Sequence, residues 1–106
     1  YRDMLARGIN VCLGTDSLLC QPADAAQPQG ILAPCRRLFA RDRLDAETLL
    51  AMATRHGARA LRLEARAATL LPGAPARLAA VPIDPSDPRD PWIQVLESEA
   101  RCRPIG

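Results

Sequence analysis

A short apolar stretch at residues 9–13 constrains the fold of this chain most. It follows Gly8, which is typical of the residue that stops a helix, here one predicted over residues 2–7. In an extended chain, side chains alternate between two faces, which here hold Ile9, Val11 and Leu13 on one side and Asn10, Cys12 and Gly14 on the other. Large apolar residues on one face and small ones on the other suit a parallel strand between a helix layer and a tight interior. We therefore predict a buried strand of an α/β fold.

The four residues Gly14-Thr15-Asp16-Ser17 directly after this strand form the candidate functional motif. In an α/β barrel, the C-terminal ends of the strands meet at one mouth, where catalytic groups lie. Continued alternation places Asp16 on the small-residue side. A carboxylate there can bind a cation or accept a proton, and Thr15 and Ser17 can hold its orientation by hydrogen bonds. From these four residues alone, the alternative is that Asp16 only caps a turn or a helix.

Two helices are predicted after a loop at residues 17–30. The first spans residues 31–43, with Pro34 in its first turn and with Leu38 and Phe39 buried. The second spans residues 45–63. Its expected N-cap is Asp45, its expected kink or division is at Gly57, and its expected buried face consists of Leu49, Met52, Ala53, His56, Ala60 and Leu63.

Short elements are predicted after residue 65. The pattern indicates strands at residues 69–71, 77–83 and 101–105, a turn at Pro72-Gly73, and one or two helical turns at residues 92–97. The chain therefore divides into two predicted parts. Residues 1–65 resemble the final βα unit of a larger α/β fold, and residues 66–106 resemble part of a separate β layer.

The composition argues against an independent, tightly packed unit. The 106 residues include ten prolines but only one Trp, one Tyr and one Phe, although large aromatics bury the most area per residue. Because the chain opens within a helix, we expect it to be a piece of a longer protein. No apolar run approaches the roughly 20 residues of a membrane span. A net charge of +2 with scattered arginines does not favour a nucleic-acid surface.

The cysteines and the single histidine do not form a zinc-finger pattern. No C-x-x-C pair occurs among Cys12, Cys20, Cys35 and Cys102. We expect all four thiols to be reduced, as in a cytoplasmic protein. Cys20 and Cys35 flank the loop but lack a nearby base, which argues against a nucleophilic role. His56 is expected to pack or cap a helix, and Arg36, Arg37, Arg41 and Arg43 are expected to form a solvated helix face.

Three segments of the chain are informative together: residues 6–17 (ARGINVCLGTDS), residues 49–61 (LLAMATRHGARAL) and residues 70–78 (LLPGAPARL). They resemble the amidohydrolase superfamily, most closely its chlorohydrolases and its guanine, cytosine and S-adenosylhomocysteine deaminases. The first resembles the eighth barrel strand of that family, the second the helix that follows, and the third the return to the β-sandwich. Their order matches the family over most of residues 6–83. The resemblance implies the last βα unit of a TIM-type barrel in residues 1–65 and part of a C-terminal β-sandwich domain in residues 66–106.

The resemblance also implies a chemistry. In such enzymes the aspartate after the eighth strand contacts the catalytic metal, zinc or iron, and handles the proton of the attacking water. That role falls on Asp16, with Thr15 and Ser17 in support. The implied reaction is hydrolysis of a C–N or C–halide bond in a heterocyclic small molecule. Because the family's histidine ligands come from earlier strands, this piece alone should be inactive and should require the remainder of its own barrel.

Departures from the family pattern leave the substrate open. They are Arg77 in place of an acidic residue, Ala68 in place of glycine, His56 in place of asparagine, and the loop Leu18-Leu19-Cys20-Gln21-Pro22. Two alternatives compete: another ring hydrolase of the imidazolonepropionase or dihydroorotase type, or a degenerate barrel domain that acts as an assembly surface. An upstream H-x-H pair would favour an enzyme. Metal identity and homo-oligomerisation also stay open.

Overall fold

Five helices and two short strands make up the described part of the chain. The computed structural model describes residues 1–16, 30–63, 68–73 and 78–105. In chain order the elements are α1 (Arg2–Ala6), α2 (Leu32–Asp42), α3 (Ala46–Ala53), α4 (Arg55–Ala60), β1 (Leu78–Ala80), α5 (Pro91–Glu97) and β2 (Arg103–Ile105). Helices α2, α3 and α5 pack on one another and carry the core.

Helix α1 ends at the glycine expected to stop it. Gly8 has a φ of +73°, a conformation that glycine adopts without a Cβ clash. The N–H of Gly8 donates to the carbonyl of Leu5 at 2.9 Å, and the N–H of Ile9 donates to the carbonyl of Met4 at 3.0 Å. These two bonds form a Schellman motif, which satisfies carbonyls that the helix end would otherwise leave open. The predicted helix stop is confirmed.

Helix α2 lies close to its predicted bounds, with Pro34 in its first turn. Phe39 is buried as predicted, whereas Leu38 is only half-buried. The most deeply buried residue of this helix is Cys35, which has no exposed surface. Its side chain points into the helix core, where a thiol packs as a small hydrophobe.

The second predicted helix begins at its expected cap but divides earlier than expected. The carboxylate of Asp45 accepts the N–H of Thr48 at 2.8 Å, so the predicted N-cap is confirmed. The division lies at Thr54, with φ −125° and ψ −93°, and not at Gly57. The Thr54 hydroxyl bonds back to the carbonyl of Leu50 at 2.7 Å, an arrangement that bends helices.

This division changes which side chains reach the core. Leu49 and Met52 on α3 are buried as predicted. Beyond the break the helical spacing no longer continues along one axis, and Ala60 and Leu63 are exposed. The predicted single apolar face was therefore wrong in its second half.

The core forms where three helices meet, and a partly buried guanidinium ties two of them together. The buried cluster consists of Cys35, Phe39, Ala46, Leu49, Met52 and Leu96. Arg36 of α2 reaches the C-terminal end of α5, where it donates to the carbonyl of Val95 at 3.2 Å and to the carbonyl of Ala100 at 2.8 Å. The prediction of a wholly solvated arginine face was wrong for Arg36, because the last carbonyls of a helix need donors from elsewhere.

The second part of the chain contains an antiparallel ribbon and one helix. Strand β1 pairs with β2 in the register Leu78↔Ile105, Ala79↔Pro104 and Ala80↔Arg103, and all six residues are exposed. Both strands were predicted, although each is shorter than expected. The expected strand at residues 69–71 was wrong, while the turn at Pro72 and Gly73 is present, with a Gly73 φ of +79°. Helix α5 confirms the expected helical turns at residues 92–97 and has Asp90 as its N-cap.

A membrane-crossing helix is not found among the described residues, because none of their helices has the required length and apolar character.

Candidate functional site

Residues 9–13 lie against the helices without forming a strand in the part of the chain that the structure describes. A strand needs a hydrogen-bonded neighbour, and here the backbone contact runs to a helix: the N–H of Leu13 donates to the carbonyl of Met52 at 3.0 Å. Val11 and Leu13 pack on the core, and Cys12 and Gly14 are exposed. The predicted alternation is therefore confirmed for residues 11–14, and the predicted strand assignment is not.

The first two residues of this segment depart from the predicted alternation. Ile9 is 46% exposed, whereas Asn10 is half-buried. The reason is a polar contact: the side-chain amide of Asn10 donates to the backbone carbonyl of His56 at 3.1 Å. A partly buried amide needs such a partner, and this contact draws Asn10 toward α4. The predicted alternation assigns Asn10 only to the small-residue face and gives no signal for this hydrogen bond.

The side chain of His56 makes a second contact with the same segment. Its Nδ1 lies 3.0 Å from the carbonyl oxygen of Val11. Because a carbonyl only accepts, the proton of this hydrogen bond belongs to Nδ1. His56 lies in the first turn of α4 and not in mid-helix as expected. Its contact agrees with the predicted packing role, because the ring joins the helix pair to the segment that precedes Asp16.

Asp16 lies at the end of this segment in a turn-like backbone conformation. Asp16 has a backbone φ of +56° and is exposed to solvent. Residues other than glycine seldom adopt this left-handed region, but aspartate is among those that tolerate it. Such conformations occur both in ordinary turns and at functional sites. Thr15 is also exposed, and Ser17 lies outside the described residues.

A metal at this site would need ligands beyond Asp16. Within residues 1–16, 30–63, 68–73 and 78–105, no three or more His, Cys, Asp or Glu side chains come together in a way that could hold a metal. A tetrahedral zinc site takes about four ligands. The exposed carboxylate of Asp16 fits the role of one such ligand, and the others would have to come from elsewhere in the protein.

The described cysteines are free thiols. They are Cys12, Cys35 and Cys102. Burial raises the pKa of the Cys35 thiol to about 11, because the interior disfavours the charged thiolate. Its sulfur lies 3.8 Å from the carbonyl oxygen of Leu49. Cys35 is therefore protonated near neutral pH, in agreement with the prediction that it is not a nucleophile. Cys20 lies outside the described residues.

A cleft of about 530 Å³ lies between α5 and the loop before it. Its polar centre is the buried amide of Gln94, which donates to the backbone carbonyls of Asp87 and Arg89 and accepts the N–H of Asp84. A hydrogen bond from Ser86 lowers the pKa of Asp84. These polar groups are hydrogen-bonded to one another, so their arrangement serves to hold the loop against α5.

Comparisons with known proteins agree with the motifs in residues 6–83. The model of the amidohydrolase family matches residues 1–99. A 5-methylthioadenosine/S-adenosylhomocysteine deaminase from Halalkalibacterium halodurans is 45% identical over 65 residues, a match that covers 58% of this chain and 15% of the deaminase. No solved structure matches. The predicted resemblance to the deaminase branch is confirmed, and the chain belongs to the amidohydrolase family.

Proposed function

We propose that this chain is part of a metal-dependent hydrolase that breaks a C–N bond in a heterocyclic small molecule, as a deaminase does. The observation that carries the proposal is the position of Asp16. It follows directly on a segment whose apolar face is fixed to the helices, in a chain that belongs to the amidohydrolase family. Family membership implies a barrel of the TIM type, whose catalytic groups lie after the C-terminal ends of strands.

The proposed architecture places residues 1–65 at the end of this barrel and residues 66–106 in part of a β-sandwich domain. Two observations support it. Val11 and Leu13 pack against a helix layer while Cys12 and Gly14 face outward, which leaves a surface suited to neighbouring strands. The ribbon of β1 and β2 has only exposed residues, as a sheet has when its packing layer is supplied by other parts of the protein. The remainder of its own barrel is therefore the first partner proposed.

Asp16 is the proposed proton carrier of the reaction. A bound divalent metal, zinc or iron, would lower the pKa of its water. The carboxylate of Asp16 would contact that metal, accept a proton from the water as its oxygen bonds to the ring carbon, and deliver a proton to the departing nitrogen as the C–N bond breaks. Thr15 and Ser17 would orient the carboxylate. With a halide as leaving group, the same arrangement would serve a chlorohydrolase.

The test is Asp16→Asn in the complete enzyme. This change keeps the shape of the side chain and removes its charge and basicity, so turnover should fall by about a hundredfold to ten-thousandfold. The melting temperature should change little, because a residue at this end of a barrel strand serves function more than stability. The matched control is Asp3→Asn on α1, an exposed aspartate outside the proposed site, which should keep full turnover.

One observation favours a second candidate. The positive φ of Asp16 is also that of an ordinary turn residue, as expected in a degenerate, non-catalytic barrel domain that serves as an assembly surface. Full turnover in Asp16→Asn, or no turnover of any ring substrate by the complete protein, would support this candidate. Hydrolysis of an imidazolone or dihydroorotate ring instead would assign the protein to another ring-hydrolase branch.

A further inference from the structure

We propose that Asn10 and His56 are positioning residues that set the location of Asp16 relative to the helix layer. This role rests on the proposed function of Asp16. Neither residue would touch the substrate or the metal. Each would act through the backbone of the segment that ends at Asp16.

The two residues exchange hydrogen bonds in opposite directions. The amide of Asn10 donates to the backbone carbonyl of His56 at 3.1 Å, and Nδ1 of His56 bonds to the backbone carbonyl of Val11 at 3.0 Å. Each side chain thus holds the other residue's segment by its main chain. Both side chains are partly buried, which limits competition from water.

The helix break at Thr54 supplies a third contact. The last four carbonyls of a helix have no partner within it. At the end of α3, the carbonyl of Leu50 accepts the Thr54 hydroxyl, and the carbonyl of Met52 accepts the N–H of Leu13. The division of the helix therefore has a consequence for the site, because it presents an acceptor to the segment three residues before Asp16.

These hydrogen bonds fix the position of the segment that ends at Asp16, which apolar packing alone does not fix. The contacts of Val11 and Leu13 with the core are non-directional, whereas hydrogen bonds demand defined distances and angles. A slip of one residue would turn the apolar face of the segment outward, and smaller shifts would move Asp16 without that penalty. Since a misplacement of about 1 Å can cost on the order of a hundredfold in rate, the bonds at residues 10, 11 and 13 would matter for turnover.

The test compares donor-bearing and donor-free side chains at position 56 in the complete enzyme. His56→Leu removes the donor and should lower kcat by about 10- to 100-fold with a much smaller change in KM. His56→Asn can place an amide N–H near the position of Nδ1 and should restore most of kcat. Asn10→Ser shortens the side chain, so that its hydroxyl lies too far from the carbonyl of His56 to replace the amide, and it should lower kcat. Its combination with His56→Leu should lower kcat less than the product of the two single effects.

Asp45→Ala provides the control for stability alone. It removes the N-cap at the far end of α3, so it should lower the melting temperature without lowering kcat. If His56→Leu and Asn10→Ser lowered kcat no more than Asp45→Ala at a similar loss of melting temperature, the positioning role would be overturned. If Asp16→Asn kept full turnover, the proposed function itself would fail. If Asp16→Asn were inactive while His56→Leu and Asn10→Ser kept the kcat of the wild type, only the positioning role would be overturned.

Discussion

The guanidinium of Arg36 donates a 2.8 Å hydrogen bond to the carbonyl oxygen of Ala100, 64 positions further along the chain. The same guanidinium donates to the carbonyl of Val95 and, at 3.3 Å, to the hydroxyl of Ser98. One side chain of α2 therefore satisfies the C-terminal end of α5 and the start of the segment that leads to β2. The predicted barrel part and the predicted sandwich part are joined at this point by a charged group.

The first prediction concerns this guanidinium. Arg36→Met keeps most of the side-chain length but leaves the carbonyls of Val95 and Ala100 without their donor. Hydrogen bonds to charged groups contribute roughly 1.5–3 kcal/mol, so amide protons in α5 and β2 of the complete protein should exchange faster by about ten- to a hundredfold. Hydrogen exchange read by mass spectrometry measures this. Arg37→Met, at an exposed position of the same helix, is the control; equal exchange in the two variants would contradict the role of Arg36.

The second prediction concerns the reactivity of Cys35. Because burial raises the pKa of its thiol to about 11 from an ordinary value of 9.0, its thiolate fraction near pH 8 should be lower by about a hundredfold than in the unfolded chain. Iodoacetamide should therefore modify Cys35 slowly in the native protein and rapidly in denaturant, as peptide mass spectrometry would show.

The raised pKa of Cys35 also makes the stability of the folded protein depend on pH. As pH rises above 9.0, the unfolded chain loses this proton before the folded one does, so the contribution of Cys35 to stability should be full below pH 9 and should fall between about pH 9 and 11. Modification of Cys35 at equal rates in the native and denatured protein would show that the thiol is accessible and would contradict its burial.

The third prediction separates the role of His56 from metal binding. Since its Nδ1 bonds to the carbonyl of Val11, the ring is committed to the contact between α4 and residues 9–13. In the complete protein, His56→Gln should leave the metal content per subunit unchanged, although it should lower the melting temperature. Metal analysis of the purified variant beside the wild type is the measurement. A loss of bound metal would assign His56 as a ligand and would reverse this interpretation.

The fourth prediction concerns the 106-residue chain on its own. Its residues 9–13 lack a strand neighbour among the described residues, and many large apolar side chains are exposed, namely Met4, Ile9, Leu61, Leu63, Leu70, Leu71, Leu78, Ile83, Trp92 and Ile105. Unpaired edges and exposed apolar surface favour aggregation. The isolated chain should therefore be poorly folded, with no sharp thermal transition by circular dichroism. A cooperative transition from a soluble monomer would count against it.

Features controlled by local chemistry were predictable from the sequence. Asp45 caps a helix because a carboxylate placed before a helix can accept the N–H groups of the first turn, whatever lies elsewhere in the chain. Gly8 ends α1 because it adopts a positive φ without a steric penalty. The inward side chains of Val11 and Leu13 follow from the two-residue repeat of an extended chain. The match to the amidohydrolase family agrees with the motif around Asp16, whose role remains a proposal.

Only the tertiary structure decided the burial of Cys35, the break at Thr54, the clamp of Arg36 on α5, and the exchange of hydrogen bonds between Asn10 and His56. Except for the break at Thr54, where the hydroxyl bonds to the nearby carbonyl of Leu50, each depends on residues that are distant in sequence. Periodicity shows which positions share a face, but it does not show which element that face will meet. A carbonyl at a helix end that has no partner within the helix, such as that of Met52, accepts a hydrogen bond from whichever donor packing brings near. A buried polar group must likewise find its hydrogen-bond partner among the groups that packing places around it. The pairing of open acceptors with distant donors is therefore settled only when the elements pack.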